Sequence, residues 1–351
     1  MKYKIGIWGQ FGDGGKIADG QAVRTTIITK ELQIRYGNES VGVVNTNGWK
    51  SHPIKFLLES FRLVKDSGII IIAPADNGYK VFVPLLILFN LLYRRILVHI
   101  VIGGFLPELL RQNTIYRWLE NRFSAIFVQT ENLRKDLHVL GIKNLHILSN
   151  LKRLNSLSLE DLKLYDAENI SVCTFSRINK EKGIEDAVEA VEIVNKKLGG
   201  EYVHLDIFGL IQPGYEVTLN KILEEHSKTV SYRGIVDYNK TVEVLSQYFV
   251  LLFPTYYYGE GFPGNVVDAY NSGLPIIATD WLYNRDVICD GRNGLFVPIQ
   301  SSEALASAIL ELYNDREKHL NMSRNCLIDS KKYHPDIVLN DLYLLLDANL
   351  V

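Results

Sequence analysis

The sequence predicts an α/β protein made of two Rossmann-like, doubly wound parallel-sheet domains, and three observations carry that reading. Short, near-continuous apolar runs ending in Gly, Asn or Thr alternate with amphipathic stretches of helical length, as repeated β-α units do. After Asn150 the alternation is interrupted by a polar, charged stretch, LKRLNSLSLEDLKLYDAEN, and then begins again. The 351 residues, 47% apolar and 22% charged, also exceed what one core ordinarily holds, so two domains facing a cleft are expected.

In the first half the runs predict strands at Tyr3–Trp8, Ser40–Asn45, Gly68–Ala73, Ile96–Ile102, Ala125–Thr130 and Leu145–Leu148. Their continuous apolarity suits strands covered by helices on both faces. The second series predicts Ile170–Phe175, Tyr202–Phe208, Val230–Tyr232, Val250–Phe253, Pro275–Thr279 and Gly294–Val297. The expected organisation is a domain over 1–150, a linker over 151–169, a second domain over 170–330, and a helix over 331–351 packing back on the first. Val81 to Tyr93, thirteen apolar-rich residues before Arg94 and Arg95, is shorter than the roughly 20 residues a membrane helix needs and predicts a buried helix. The N-terminus, MKYKIGIWGQ, gives way too soon to glycine-rich sequence to be a secretory leader, so a cytoplasmic protein is expected.

Thirty-eight Lys and Arg against forty Asp and Glu leave a net charge of -2, which offers no global positive field for nucleic acid. Cys173, Cys289 and Cys326 are far apart and in no metal-ligand or disulfide spacing. Neither a disulfide framework nor a structural metal is expected.

In open parallel sheets ligands bind beyond the carboxyl ends of the strands, so the segments just after each strand matter most. The first strand is followed by GQFGDGGKIADGQAVRT, whose Gly12, Gly14 and Gly15 precede a helix from about Gln21. It has neither a properly placed GxGxxG nor a P-loop ending, though glycines permit close ligand approach. More informative is FPTYYYGEGFPGNVVDAYNSGLPIIATD, where a strand ends at Phe253 and a helix opens near Pro263 or Gly264. Amides from Gly261 through Phe262, Pro263's neighbour Gly264 and Asn265 to Val266 would then form an anion site at the positive end of the helix. Glu260 precedes that helix and Asp268 lies within it. Carboxylates beside an anion are suited to accepting hydrogen bonds from flanking sugar hydroxyls. In SVCTFSRINKEKGIEDAVEA, Arg177 at a strand end and Lys182 five residues later supply a planar fork and a mobile point charge for phosphate.

These residues resemble the nucleotide-sugar glycosyltransferases of GT-B architecture, specifically the retaining family four. The family's acidic pair and following turn are matched by Glu260-Gly261-Phe262, Asp268-Ala269 and Gly273-Leu274-Pro275-Ile276, with Asp in place of the usual second Glu. Its S-R...K-G element is matched by Ser176-Arg177 and Lys182-Gly183, its strand-end Asn by Asn150, its R-G turn by Arg233-Gly234 and its N-G-x-L phrase by Asn293-Gly294-Leu295. The resemblance implies that Arg177 and Lys182 neutralise the donor diphosphate, that Glu260 contacts the transferred sugar and that Asp268 holds the ribose. It further implies a phosphate cradle from Gly261 to Asn265 helped by Gly14 and Gly15, and a turn of Gly234, Ile235 and Val236 against the base. The expected reaction moves a hexosyl or N-acetylhexosaminyl unit from a nucleoside-diphosphate sugar, UDP favoured, to a saccharide or lipid-linked saccharide. Retention is expected, with the nucleotide-sugar as substrate and no cofactor. No Asp-x-Asp occurs, so a metal-independent transfer is expected.

Where many relatives carry His at the end of the fourth strand, this chain reads Val101-Ile102-Gly103-Gly104, and His99 three residues earlier reads as a core residue. Gly103 and Gly104, with Gln21 and Asn150, are the acceptor-side candidates, and the catalytic base stays open. Arg111, Arg117, Arg122, Tyr116, Trp118 and Phe123 could form a basic, aromatic face for peripheral membrane contact, or a helix whose aromatics pack inward. A non-catalytic sugar-nucleotide module, a sugar-nucleotide epimerase and a glycosyl phosphorylase stand as alternatives on the same fold.

Overall fold

The computed structural model describes residues 1–12, 20–162, 165 and 170–350. Gly14 and Gly15 of the glycine-rich loop, and 163, 164 and 166–169 of the expected linker, lie outside the described residues. Two compact units form, one from Met1–Leu151 with Pro335–Val351 and the other from Lys152–His334.

Among the described residues the first unit runs β1 (Tyr3–Gly9), α1 (Gly20–Tyr36), β2 (Val41–Asn45), α2 (Pro53–Asp66), β3 (Ser67–Ala73), α3 (Asp76–Tyr93), β4 (Ile96–Ile100), α4 (Leu106–Gln112), α5 (Thr114–Glu120), β5 (Ala125–Val128), α6 (Glu131–Val139) and β6 (Leu145–Ile147). The second runs β7 (Ile170–Phe175), α7 (Ile184–Leu198), β8 (Val203–Phe208), α8 (Glu216–Glu225), β9 (Val230–Gly234), α9 (Thr241–Leu245), β10 (Val250–Phe253), α10 (Gly264–Asn271), β11 (Ile276–Thr279), β12 (Gly294–Val297), α11 (Ser302–Asn314) and α12 (Arg316–Ser330). The chain then closes with α13 (Pro335–Val338) and α14 (Asn340–Asn349).

Both sheets are parallel throughout, in the orders β2-β1-β3-β4-β5-β6 and β12-β11-β10-β7-β8-β9. Strand ends fall within two residues of those read from the sequence, because helices on both faces demand apolar side chains at every position. Ile69 to Ile72 of β3, for example, are each at most 1% exposed.

One expectation is overturned. The apolar segment Val81–Tyr93 does form a helix, but only Phe82, Val83, Leu86 and Ile87 of it are buried, while Leu88, Leu91 and Leu92 are 59%, 69% and 70% exposed. A helix turns 100° per residue, so a single sheet covers one stripe of it however apolar the rest is. The polar stretch after Asn150 is hydrogen-bonded along the second unit. Lys152 N donates to Tyr333 O (3.2 Å), and Leu157 N to Asn271 O (2.8 Å), so this segment is fastened along α10.

The closing helices belong to the first unit. Leu339, Leu342 and Leu346 join the cluster of Ile28 and Leu32, and Asp347 accepts from Arg35 (2.6 Å) and Tyr36 (2.7 Å) of α1. Arg24, also on α1, is fully buried and donates to the carbonyls of Val101 (3.3 Å) and Leu148 (2.5 Å), just beyond β4 and β6. Loss of hydration lowers its pKa to about 9.

In the second unit Asp329 ties α12 to the turn before β12. It is 3% exposed and accepts from Arg292 Nη2 (3.1 Å), Asn293 Nδ2 (2.9 Å) and Lys332 Nζ (2.6 Å). Burial pushes its pKa up, but the hydrogen bonds from Lys332, Arg292 and Asn293 outweigh burial and hold it below the usual carboxylate value. The stabilisation is therefore complete above the unfolded-state pKa of about 3.9 and is lost as pH falls through the lower folded value. Asp329→Ala should cost about 3 kcal/mol in urea unfolding at pH 7, with the gap to wild type narrowing below about pH 4.

Candidate functional site

The order of the second sheet fixes where a ligand can enter. The chain builds β7, β8 and β9 outward in one direction, then returns to lay β10, β11 and β12 on the other side of β7. Loops leaving the carboxyl ends of the neighbouring strands β7 and β10 therefore diverge, and such a reversal point opens a crevice. Arg177 and Lys182 lie on the first of these loops, and Glu260 to Pro263 on the second.

The structure brings Lys182 and Glu260 together as an ion pair between Nζ and Oε2, with each side chain only 11% exposed. Asn179 orients the lysine turn by accepting from Lys182 N (3.1 Å) and donating to Gln212 Oε1 (2.8 Å). Thr255 Oγ1 donates to Glu260 Oε2 (3.1 Å), and Tyr256 N donates across to Glu181 O (2.9 Å). Lys182 Nζ also lies 5.0 Å from the centre of the Tyr257 ring, a favourable cation–π contact. Gly183 makes this junction sterically feasible. Its φ is +68°, and a Cβ there would stand 2.3 Å from the Pro254 carbonyl oxygen.

Arg177 is exposed at the end of β7. Burial pushes the Tyr257 phenol pKa up, and the Arg177 charge pulls against that shift, which puts the guanidinium within electrostatic range of the same cluster. Both cations lie in the segment that leaves β7.

Helix α10 begins at Gly264, with Pro263 as the preceding residue and no side chain capping its first turn. Its leading amides carry the positive end of the helix dipole. Gly261, Phe262 and Pro263 are buried and Gly264 and Asn265 half-buried, with the Phe262 ring edge-on to Tyr333 at 5.1 Å. Asn265 Nδ2 donates to Phe175 O (2.9 Å), so the helix end is anchored directly to β7.

Asp268, one turn further on and 1% exposed, pairs through Oδ2 with Lys152 Nζ. Among the described residues its other oxygen, Oδ1, finds no donor. Lys152 was not foreseen. It stands 116 residues before Asp268 in a stretch with no periodic signal. Thr255, Tyr257 and Asn179 were equally missed, although all three lie beside residues that were named.

Gly234 ends β9 with φ +79°, followed by exposed Ile235 and half-buried Val236, on the strand two removed from β7. The remaining candidates belong to the first unit. Gln21 Nε2 donates to Ala73 O at the end of β3 (3.0 Å), Gly103 N donates to Gln129 Oε1 (2.9 Å), Gly104 follows it, and Asn150 Oδ1 accepts from Leu151 N (3.0 Å). His99 is fully buried in β4, with Nδ1 2.6 Å from Glu120 Oε1, whose partner oxygen accepts from Tyr79 OH (2.5 Å). It is a hydrogen-bonded core residue. No group of three or more His, Cys, Asp or Glu able to hold a metal occurs among the described residues.

Residues 160–326 match the family model of the glycosyl transferases group 1. A Streptococcus pneumoniae protein, the UDP-N-acetylglucosamine–peptide N-acetylglucosaminyltransferase GtfA subunit, is 33% identical over 153 residues, 41% of this chain and 29% of the relative. The Staphylococcus aureus capsular polysaccharide biosynthesis glycosyltransferase CapM is 24% identical over 206 residues, 56% of this chain and 51% of the relative. The chain spans between 29% and 39% of the length of the first three curated relatives it matches. Its fold is that of the GT-B glycosyltransferases. The crystal structure of Anabaena HepE in complex with UDP and glucose matches it with a TM-score of 0.75 at 16% identity, over 99% of this chain and 100% of that one.

The Gly183 contact is directly testable. Gly183→Ala forces Cβ onto a backbone oxygen at a left-handed position, so a loss of about 2 kcal/mol or more is expected in denaturant unfolding.

Proposed function

We propose that the protein is a glycosyltransferase that moves a hexosyl or N-acetylhexosaminyl unit from a UDP-sugar to a saccharide or lipid-linked saccharide, with retention and without a metal. The observation that carries this reading is the Lys182–Glu260 pair at the strand-order reversal, set beside an uncapped helix start. The group 1 match over 160–326 supports the reaction class. UDP is favoured because HepE was crystallised with it and the pneumococcal relative is named for UDP-N-acetylglucosamine.

In this reading the diphosphate lies over the amides of Gly261 and Phe262 and those of Gly264 and Asn265, which open α10, with Lys182 and Arg177 neutralising it from the β7 side. Asp268 Oδ1, buried and without a donor among the described residues, accepts from a ribose hydroxyl. Glu260, held by Lys182 and Thr255, receives hydroxyls of the transferred sugar, and Gly234 to Val236 lie against the base.

The bond from the anomeric carbon to the diphosphate oxygen breaks while the acceptor oxygen bonds to that carbon on the same face. The acceptor proton passes to the departing phosphate oxygen. Charge growing on the leaving diphosphate meets fixed cations and amides, so these residues stabilise the transition state more than the ground state.

Lys182→Ala should lower kcat by about 10²- to 10³-fold in a transfer assay with a panel of UDP-, GDP- and ADP-sugars. Near-normal rates would remove Lys182 from this role, and tight donor binding without turnover by the wild type on every acceptor would favour a binding module. Activity should withstand chelator, and a strict divalent requirement would overturn the metal-free mechanism.

A further inference from the structure

The two carboxylates around the start of α10, Glu260 and Asp268, are each paired with a lysine. Lys182, the partner of Glu260, lies in the loop after β7, whereas Lys152, the partner of Asp268, is the first residue of the second unit. The second pair is the more enclosed, with the Asp268 side chain 1% exposed and that of Lys152 11%. A four-carbon stem is expensive to immobilise, and this one is held along its length. Lys152 N donates to Tyr333 O (3.2 Å), and the Tyr333 ring in turn packs on Phe262. At the other end, Lys152 Nζ lies 5.7 Å from the centre of the Tyr238 ring, whose hydroxyl accepts from Arg153 N (3.0 Å).

The consequence lies in what the pair leaves over. An ammonium only donates, so its contact fixes Oδ2 as an acceptor and leaves Oδ1 as the oxygen for any other donor. Oδ1 is buried and, among the described residues, has none. Buried polar atoms are ordinarily satisfied, so an acceptor left open beside a fixed cation suits an incoming hydroxyl. The side chain is Asp, with one torsion fewer than Glu, so once Oδ2 is held the direction of Oδ1 is held with it. Without the ammonium the carboxylate would be buried with no counter-charge, and nothing would choose which oxygen faces a ligand.

We propose that Lys152 is a positioning residue for ribose recognition, holding Asp268 Oδ2 so that Oδ1 receives a ribose hydroxyl of the nucleotide. This rests on the sugar-nucleotide reading given above. Lys152 acts through Asp268 and not by neutralising phosphate, so its effect is confined to nucleotides that carry the hydroxyl. A nucleotide without it leaves Oδ1 unpaired in the complex, which is how a buried polar site rejects an analogue that lacks one group.

The test is isothermal titration of the full chain with UDP and with 2′,3′-dideoxy-UDP. The wild type is expected to bind UDP about 30-fold more tightly than the dideoxy nucleotide, the usual scale for a hydrogen bond to a charged group. Lys152→Met should weaken UDP by about tenfold and leave dideoxy-UDP within about threefold of wild type, so that the preference nearly disappears. Lys152→Arg, which keeps a cation on Oδ2, should restore most of it. Far-UV circular dichroism and urea unfolding check that each variant is folded, and Lys152→Gln carries the same comparison if the methionine variant is not. A merely structural lysine would weaken both nucleotides alike or neither. Either result in a folded variant, or tighter binding of UDP, overturns the role of Lys152 while the sugar-nucleotide reading stands. A wild type that binds no UDP overturns that reading, and one that binds both nucleotides equally overturns the ribose contact of Asp268; the proposal falls with either.

Discussion

The candidate site depends on an ion pair formed where the second sheet changes direction. Lys182 and Glu260 come from loops 78 residues apart in sequence, and neither charge could be held there at 11% exposure without the other. Breaking such a pair typically costs about 3–5 kcal/mol, because the remaining charge is left buried and uncompensated. The pair in turn requires the loops to touch, and they touch because Gly183 has no side chain to keep Pro254 away. Thr255, Asn179 and the Tyr256–Glu181 backbone bond then fix the two charges in place. A site whose charges are already oriented has less to reorganise when a ligand's charge changes.

The first sheet shows the same physics with a different strand order. Its reversal lies between β1 and β3, where Gln21 bridges to Ala73 O. Arg24 gathers carbonyls from the ends of two other strands of that sheet, with hydrogen bonds but, among the described residues, no carboxylate partner. Its lowered pKa is the expected cost of that arrangement.

What the sequence made legible was periodic or local. Strands that must be apolar at every position announce themselves as runs, and residues a fixed short distance beyond a strand end, such as Arg177, Lys182 and Glu260, can be placed with the loop. Partners supplied by tertiary packing could not be read this way. Lys152 is one of two Lys in a polar stretch, and only the path of that stretch along α10 delivers it to Asp268. Arg24 looks like any helix arginine until the strand ends close around it. For α3 composition misled, since an apolar segment does not say how many of its faces the fold will cover.

The proton on the acceptor poses the sharpest chemical constraint. An imidazole at the end of β4 could have taken it, but Ile102 stands there, and His99, three residues earlier, is fully buried with Nδ1 engaged by Glu120. Moving His99 outward would strand Glu120 and Tyr79 without their partner inside an aromatic core, which the fold has no means of offsetting. Glu260 is poorly placed to act as the base as well, because its Oε2 already receives Lys182 and Thr255. The group that gains basicity during the proposed reaction is the departing phosphate oxygen. Proton transfer to it needs no imidazole in β4, and it asks of the protein only the fixed positive charge that the β7 and β10 loops are built to hold.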